Sequence, residues 1–235
     1  MLEVNGLVAG YPTGGHVLQD LNLYVPAGRI VAILGRNGMG KTTLLRTLCG
    51  LIATSGGTIR LNSKDIAALP AFQRARLGVG YVPQGREVFR EFTVAENLLA
   101  GRIAKPGLSA EVPQELFALF PILAERAKQK AGSMSGGQQQ QLAIARALAG
   151  EPRLLLLDEP SEGIQPSIVA DIAAKLREIV ASTGLTILMA EQNLEMVAAC
   201  ADTVAFIDHG AIEEDGINAA DIRSDRNRLV KYLSI

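Results

Sequence analysis

A glycine-rich stretch near the start of the chain limits the possible folds more than any other segment. Gly35–Thr42 reads G-R-N-G-M-G-K-T and matches the pattern G-x-x-x-x-G-K-[ST]. The apolar run Ile30–Leu34 before it favours a buried strand, and the segment Thr43–Gly50 after it has a helical pattern. This order of strand, loop and helix predicts an α/β fold that binds a nucleotide phosphate at a helix N-terminus.

The residue types of this stretch suit phosphate. Gly35, Gly38 and Gly40 permit backbone angles that side chains forbid, so the loop can turn its N–H groups inward. Lys41 is predicted to contact the β- and γ-phosphates, and the Thr42 hydroxyl to bind Mg²⁺. The remaining predicted contacts to ATP are Arg36, Asn37, Met39 and Thr43. A chance glycine-rich turn is the alternative, and the flanking strand and helix argue against it.

Composition excludes several classes of protein. The 235 residues include 23 basic and 24 acidic side chains, which argues against a nucleic-acid partner held by bulk charge. The apolar runs have the length of strands, and the N-terminus has no basic segment followed by an apolar core. We therefore expect no membrane span, no signal peptide and a cytoplasmic location. Cys49 and Cys200 are interpreted as reduced, structural thiols.

Two later segments add polar groups to this prediction. Ser135, Gly136 and Gly137 precede Gln138 and a helical stretch, so they form either a helix cap or a second anion site. Residues 153–160 read R-L-L-L-L-D-E-P, a strand typical of parallel sheets that ends in two carboxylates. Ligands bind at the carboxyl ends of such strands. We therefore predict that Asp158 holds Mg²⁺ and that Glu159 is the general base for an attacking water, rather than both capping a surface loop.

Two further side chains remain open from the residues alone. Tyr11, placed in a turn ahead of the glycine loop, either packs in that turn or stacks on a nucleotide base. Gln84 comes soon after the apolar strand Val79–Val82, and it is either a loop residue or a ligand that orients water or Mg²⁺.

Periodicity and turn residues predict the other elements. The further predicted strands are Leu2–Val8, Val17–Val25, Gly57–Leu61, Leu185–Ala190, Ala201–Asp208 and Ala211–Glu214. The further predicted helices are Ile66–Ala68, Thr93–Arg102, Glu111–Phe120, Ile122–Lys130, residues 166–183 and Arg226–Leu233, with a break at Lys105–Gly107.

With G-R-N-G-M-G-K-T, S-G-G-Q and L-L-L-L-D-E-P in this order, the whole chain resembles the ATP-binding subunits of ABC transporters. The resemblance implies one ATP-binding cassette over residues 1–235. Its P-loop NTPase core, residues 1–84 and 150–235, would combine a mixed sheet, flanking helices and an antiparallel β subdomain. Residues 85–149 would form an inserted helical subdomain. The cofactors implied are ATP and Mg²⁺.

The same resemblance implies an assembly and a role for individual residues. Two cassettes, either two copies or this chain and a sister subunit, would pair head to tail. Each ATP would then lie between the phosphate loop of one cassette and Ser135–Gln138 of the other. Tyr11 would stack on the base, and Gln84 would link Mg²⁺ to a transmembrane partner. Lys41, Glu159 and Gln192 would be catalytic, with Gln192 sensing the γ-phosphate.

A narrower resemblance is to the subunits of branched-chain amino acid and urea importers. It rests on Tyr81–Phe89, Thr93–Leu98, Glu162–Ile168 and Ala190–Asn193. The implied partners are a second ATP-binding subunit, two transmembrane permease subunits and, indirectly, a solute-binding protein, with the chain on the cytoplasmic face of the inner membrane. The alternatives are a cassette for lipid or polysaccharide export, a soluble ABC ATPase and a regulatory module without turnover.

Three residues depart from the usual pattern of the ABC family. Gln192 stands where most members have histidine, and a glutamine can hydrogen-bond phosphate but does not titrate. Gln165 replaces an aspartate, which puts the usual contact across the dimer in doubt there. Met134 replaces a leucine before the S-G-G-Q segment, which is a mild apolar change.

Overall fold

The computed structural model describes residues 1–103, 105, 107–109 and 111–233. Its strands are β1 (Leu2–Tyr11), β2 (Gly15–Val25), β3 (Ile30–Leu34), β4 (Thr54–Leu61), β5 (Lys64–Asp65), β6 (Val79–Val82), β7 (Leu154–Asp158), β8 (Thr186–Glu191), β9 (Thr203–Asp208) and β10 (Ala211–Asn218). Its α-helices are α1 (Lys41–Cys49), α2 (Ala71–Arg76), α3 (Val94–Arg102), α4 (Gln114–Leu119), α5 (Pro121–Glu125), α6 (Gly136–Ala149), α7 (Pro166–Thr183), α8 (Leu194–Cys200) and α9 (Arg226–Leu233).

The strands form two sheets. An antiparallel sheet of four strands has the order β2-β1-β4-β5, and a sheet of six strands has the order β10-β9-β3-β8-β7-β6. In the larger sheet β9, β3, β8, β7 and β6 run parallel, and β10 is antiparallel to β9. These sheets confirm the predicted α/β class with a mixed sheet and an antiparallel β subdomain.

The central strands β3, β7 and β8 are buried at every position because they are largely apolar, with polar residues only at strand ends (Asp158, Thr186 and Glu191). Along β3, Ile30, Ala32 and Leu34 pack with the helices, whereas Val31 and Ile33 pack toward α1 and the antiparallel sheet. The residues of β7 alternate in the same way. Period-2 alternation explains how one apolar strand joins two separate cores.

Residues 85–149 contain α3, α4, α5 and α6 among their described residues, and α3 packs on α6. The predicted break at Lys105–Gly107 lies partly outside the described residues. No α-helix in the described chain is both long and apolar enough to cross a bilayer.

Two predicted helices differ from the structure. Ile66–Ala68 is not helical, because the Asp65 carboxylate accepts the Ala67 N–H at 2.9 Å in a local turn and the helix begins after Pro70. The helix predicted over 122–130 ends at Glu125. The carbonyls of residues 127 and 129 instead accept the Ala95 and Val94 N–H groups of α3, each at 3.0 Å.

Several bounds also shift. The helix predicted over residues 111–120 covers only Gln114–Leu119. Strand β1 continues to Tyr11, so this residue ends a strand and pairs with Gly15, where a turn was predicted. Strand β4 begins at Thr54 and β10 ends at Asn218, so both are longer than predicted.

Candidate nucleotide-binding and catalytic site

Four neighbouring strands of the larger sheet deliver the candidate residues to one edge. The strands β3, β8, β7 and β6 are adjacent and parallel, so their carboxyl ends meet at the same side. The glycine loop comes after β3, Gln192 after β8 and Gln84 after β6, while Asp158 and Glu159 lie at the end of β7. The sheet order therefore assembles residues that are far apart in sequence, as expected for ligand sites in parallel sheets.

The glycine loop leaves the N-terminus of α1 open to an anion. Gly38 and Gly40 have φ of 84° and 107°, in the left-handed region. Gly40 precedes α1 and has no side chain with which to cap it. Gly35 is required for packing, since a Cβ there would lie 2.5 Å from the Ile207 carbonyl oxygen. The loop thus offers backbone N–H groups and the positive end of a helix dipole.

Lys41 lies within this loop and is 5 % exposed. Its ammonium group donates to the carbonyls of Gly35 at 2.6 Å and Arg36 at 3.1 Å. Burial lowers the pKa of Lys41, and the nearby Glu159 carboxylate opposes that change. The Nζ–Oε1 distance to Glu159 is 3.6 Å, so the amine links the loop to the end of β7.

Glu159 is the point at which the predicted catalytic residues converge. Its carboxylate accepts the Gln192 amide at 2.8 Å and the Gln84 amide at 3.2 Å. Gln192 also donates to Asn37 of the glycine loop at 2.6 Å. Glu159 has a φ of 48°, a left-handed conformation that turns the chain sharply after β7. One carboxylate therefore contacts side chains from three other strand ends.

Asp158 lies deeper and is 1 % exposed. It accepts the Thr42 hydroxyl at 3.0 Å and the Tyr81 hydroxyl at 3.2 Å. Burial raises the pKa of Asp158, and these two hydrogen bonds oppose the shift. A hydroxyl and a carboxylate beside the amide of Gln84 make the hard oxygen donor set that suits Mg²⁺ with its water shell.

The glycine loop, Gln84 and Glu159 border a cavity of about 190 Å³ at the start of α1. Its lining residues are Val17, Asn37, Gly38, Gly40, Lys41, Thr42, Thr43, Gln84 and Glu159. Most of them belong to the glycine loop or to the predicted catalytic set, so the structure brings these two groups of predicted residues together. Arg36 lies on the same loop, and its guanidinium donates to the carbonyl of Lys231 at 3.2 Å.

Two predicted regions lie apart from this cavity. Tyr11 is 40 % exposed and borders a neighbouring cavity with Arg46 and Tyr81, so its stacking on a base stays a prediction. The residues Ser135–Gln138 are not among the described residues that line the phosphate cavity. They form a capping box at the start of α6, in which Gln138 accepts the Ser135 N–H at 3.1 Å.

Sequence reasoning missed three residues of the site. Tyr81 contacts Asp158 from β6, Glu162 accepts the Gln84 amide at 3.1 Å, and the buried Glu191 binds the backbones of two loops. All three lie within one to three residues of a predicted site residue, and that proximity is the signal that was available. Whether each of these side chains faces the site depends on the register of the sheet, which the residue type alone does not predict.

Comparison with known proteins shows the family to which the chain belongs. The profile of the family described as ABC transporter matches residues 18–162. The chain belongs to the ABC transporter family. It is an ATP-hydrolysing cassette of the kind that works with a transporter.

Two curated relatives and one solved structure show the range of the family. The chain is 41 % identical to the high-affinity branched-chain amino acid transport ATP-binding protein BraG of Pseudomonas aeruginosa, over 86 % of this chain and 87 % of that protein. It is 36 % identical to the lipopolysaccharide export system ATP-binding protein LptB of Escherichia coli, over 92 % of this chain and 90 % of that protein. A solved dimeric cassette in a post-hydrolysis state bound to ADP and Pi is similar with a TM-score of 0.83 at 22 % identity, covering 92 % of this chain and 98 % of that one.

Proposed function

We propose that this cassette hydrolyses ATP to energise an importer of branched-chain amino acids or of urea. The proposed ATP hydrolysis rests on one observation: Gln192, Gln84 and Lys41 all contact the Glu159 carboxylate. The part that concerns the solute rests on the similarity to BraG and on the stretches Tyr81–Phe89 and Glu162–Ile168.

In this proposal the chain supplies positioning and charge. The loop N–H groups and Lys41 bind the phosphates and stabilise the charge that develops during phosphoryl transfer to water. Thr42, Asp158 and Gln84 would hold Mg²⁺, which when bound neutralises phosphate charge. Glu159 accepts the proton of the attacking water.

Gln192 has a different task from Glu159. Its amide contacts both Glu159 and Asn37, so it lies between the base and the glycine loop. An amide at that place hydrogen-bonds the γ-phosphate and orients the base, but it cannot take up a proton at neutral pH. We therefore assign proton transfer to Glu159 and phosphate sensing to Gln192.

The site would be completed by a second cassette, either another copy or a sister subunit. Ser135–Gln138 lie outside the phosphate cavity of their own chain, and a similar cassette of known structure is a dimer. We propose that these residues bind the ATP held by the partner. Closure of the pair would then move two permease subunits, with a solute-binding protein acting on the far side of the membrane.

We propose that the permease binds at two exposed aromatic side chains that follow Gln84 in the sequence. Phe89 and Phe92 are 49 % and 46 % exposed, and their rings are 5.3 Å apart. Both lie a few residues after Gln84 in the sequence, so contact with a membrane subunit there would reach the catalytic edge through a short segment. We accordingly place the chain on the cytoplasmic face of the inner membrane as a peripheral subunit.

The test is uptake of labelled leucine and labelled urea, measured side by side in cells with the chain, without it, and with Glu159→Gln. Loss of leucine uptake alone assigns a branched-chain amino acid importer, and loss of urea uptake alone assigns the urea type. Unchanged uptake of both solutes would overturn the importer proposal. The export alternative, to which the similarity to LptB points, would then be tested through the membrane subunits that co-purify.

A further inference from the structure

We propose that Glu191 is a positioning residue for ATP hydrolysis. Its buried carboxylate joins the loop after β7 to the loop after β8 and thereby keeps Glu159 and Gln192 in contact. This inference rests on the roles proposed above for those two residues.

The contacts of Glu191 span two loops. The side chain ends β8 and is 2 % exposed. One carboxylate oxygen accepts the Ser161 N–H at 2.9 Å, in the loop just beyond Glu159. The other oxygen accepts the N–H groups of Gln192 and Asn193, each at 3.0 Å. A single side chain thus binds the backbone on both sides of the catalytic pair.

The carboxylate replaces backbone pairing at the place where the two strands separate. At the end of β7, a backbone hydrogen bond joins the Glu159 N–H to the Ala190 carbonyl of β8 at 2.9 Å. Beyond it, Glu159 turns away with its left-handed φ of 48°. Buried N–H groups require an acceptor, and for Ser161 and Gln192 that acceptor is Glu191.

The result is a fixed backbone at Gln192. On one side it is held by Glu191, and on the other Asn193 caps α8 by accepting the Glu195 and Met196 N–H groups at 2.9 and 3.2 Å. The side chain of Gln192 projects from this held segment to Glu159. A shift of about 1 Å in such a contact is enough to slow a reaction by roughly 100-fold.

The isosteric variant Glu191→Gln tests the clamp directly. A glutamine has one acceptor oxygen and one NH2 group, so it can serve Ser161 or the pair Gln192 and Asn193, but not both. With the full-length chain in its transporter complex, we expect kcat for ATP to fall roughly 10- to 100-fold, while the affinity for nucleotide stays near that of the wild type. Glu195→Gln, an exposed change four residues along the chain, is the matched control and should leave kcat unchanged.

A second measurement separates positioning from general stability. In a Gln192→Ala background, Glu191→Gln should lower kcat little further, because the contact between Gln192 and Glu159 that Glu191 maintains is already absent. Glu191→Asp keeps the charge but is shorter by one methylene. It should give an intermediate kcat, and it serves as the test if the glutamine variant does not fold.

The proposal is overturned by either of two results. One is a kcat for Glu191→Gln and Glu191→Asp equal to that of the wild type. The other is a fall in kcat that is as large in the Gln192→Ala background as in the wild type. Failure of the proposed catalytic function would look different, because Glu159→Gln would then keep its turnover.

Discussion

Two helices of this cassette, α1 and α6, have glycines at or just before their first residue. Their N-termini differ in whether a side chain of the same chain caps them. α1 begins after Gly40, which has no side chain, so its first N–H groups are left to a ligand. α6 begins after Ser135, whose hydroxyl accepts the Gln138 N–H at 3.4 Å while Gln138 accepts the Ser135 N–H. The first N-terminus is open, and the second is already capped by its own chain.

The surroundings differ as well. The first residue of α1, Lys41, is buried, and this N-terminus lies near the end of β7, which carries Asp158 and Glu159. Ser135 is exposed, and its neighbour Gly136 faces Arg86, whose guanidinium would lie 2.9 Å from a Cβ at that position. The comparison indicates that the N-terminus of α1 is open to an anion within its own chain, whereas that of α6 is capped and exposed, which suits the contact with a second cassette proposed above.

The largest effect should come from the catalytic edge. Glu159→Gln is expected to lower kcat by roughly 1,000-fold, because an amide cannot accept the proton of water. Gln192→Ala should leave more residual turnover, because it removes a hydrogen bond and not the base. Steady-state phosphate release measures both, and an equal loss in the two variants would contradict the division of roles.

A smaller effect is expected on the affinity of the isolated chain for ATP, and it should differ between substitutions at α1 and at α6. Lys41→Ala should weaken ATP binding roughly 10- to 100-fold, because it removes a buried cation from the phosphate loop. Ser135→Ala should leave binding to the isolated chain unchanged, since we propose that Ser135 contacts the nucleotide held by the partner. Titration with a fluorescent ATP analogue measures both affinities. Weakened binding by Ser135→Ala would place α6 in the site of its own chain.

The smallest effect concerns stability. Burial raises the pKa of Asp158 above its usual value of 3.8, so the folded state favours the neutral carboxyl, and ionisation destabilises it as the pH rises through the raised pKa. Without nucleotide and Mg²⁺, Asp158→Asn should therefore unfold with a higher free energy than the wild type at pH 7. Denaturant unfolding between pH 7 and pH 4 should show this advantage shrinking as the pH falls. A variant less stable than the wild type at pH 7 would contradict it.

The residues of the candidate site differ in how far they could be predicted from the sequence. The edge residues were predictable because apolar runs such as those of β3 and β7 give parallel strands, and the residues just after each strand must lie at one edge. The burial of Glu191 was not predictable, because a carboxylate at a strand end is as compatible with solvent as with burial. Only the register of β7 on β8 places it between two loops.

The predicted helix bounds were wrong where tertiary contacts override the local sequence pattern. The helix expected up to Lys130 ends at Glu125, since the carbonyl of Gln129 is taken by the N–H of Val94 at the start of α3. Sequence periodicity reports which face of a segment is apolar, but it does not report which neighbour takes its backbone groups. The capping box of α3, Thr93 with Glu96, was by contrast a local signal at the predicted start.

We propose that α1 of one chain and α6 of another share one ATP. The most direct measurement is the mass in solution of Glu159→Gln with saturating ATP and Mg²⁺, compared with Glu159→Gln/Ser135→Arg. We expect the mass of the first variant to double on adding ATP, while the second variant binds ATP and stays at the mass of one chain. A doubled mass for both variants would contradict the shared site, and a single-chain mass for Glu159→Gln would contradict pairing between two copies of this chain.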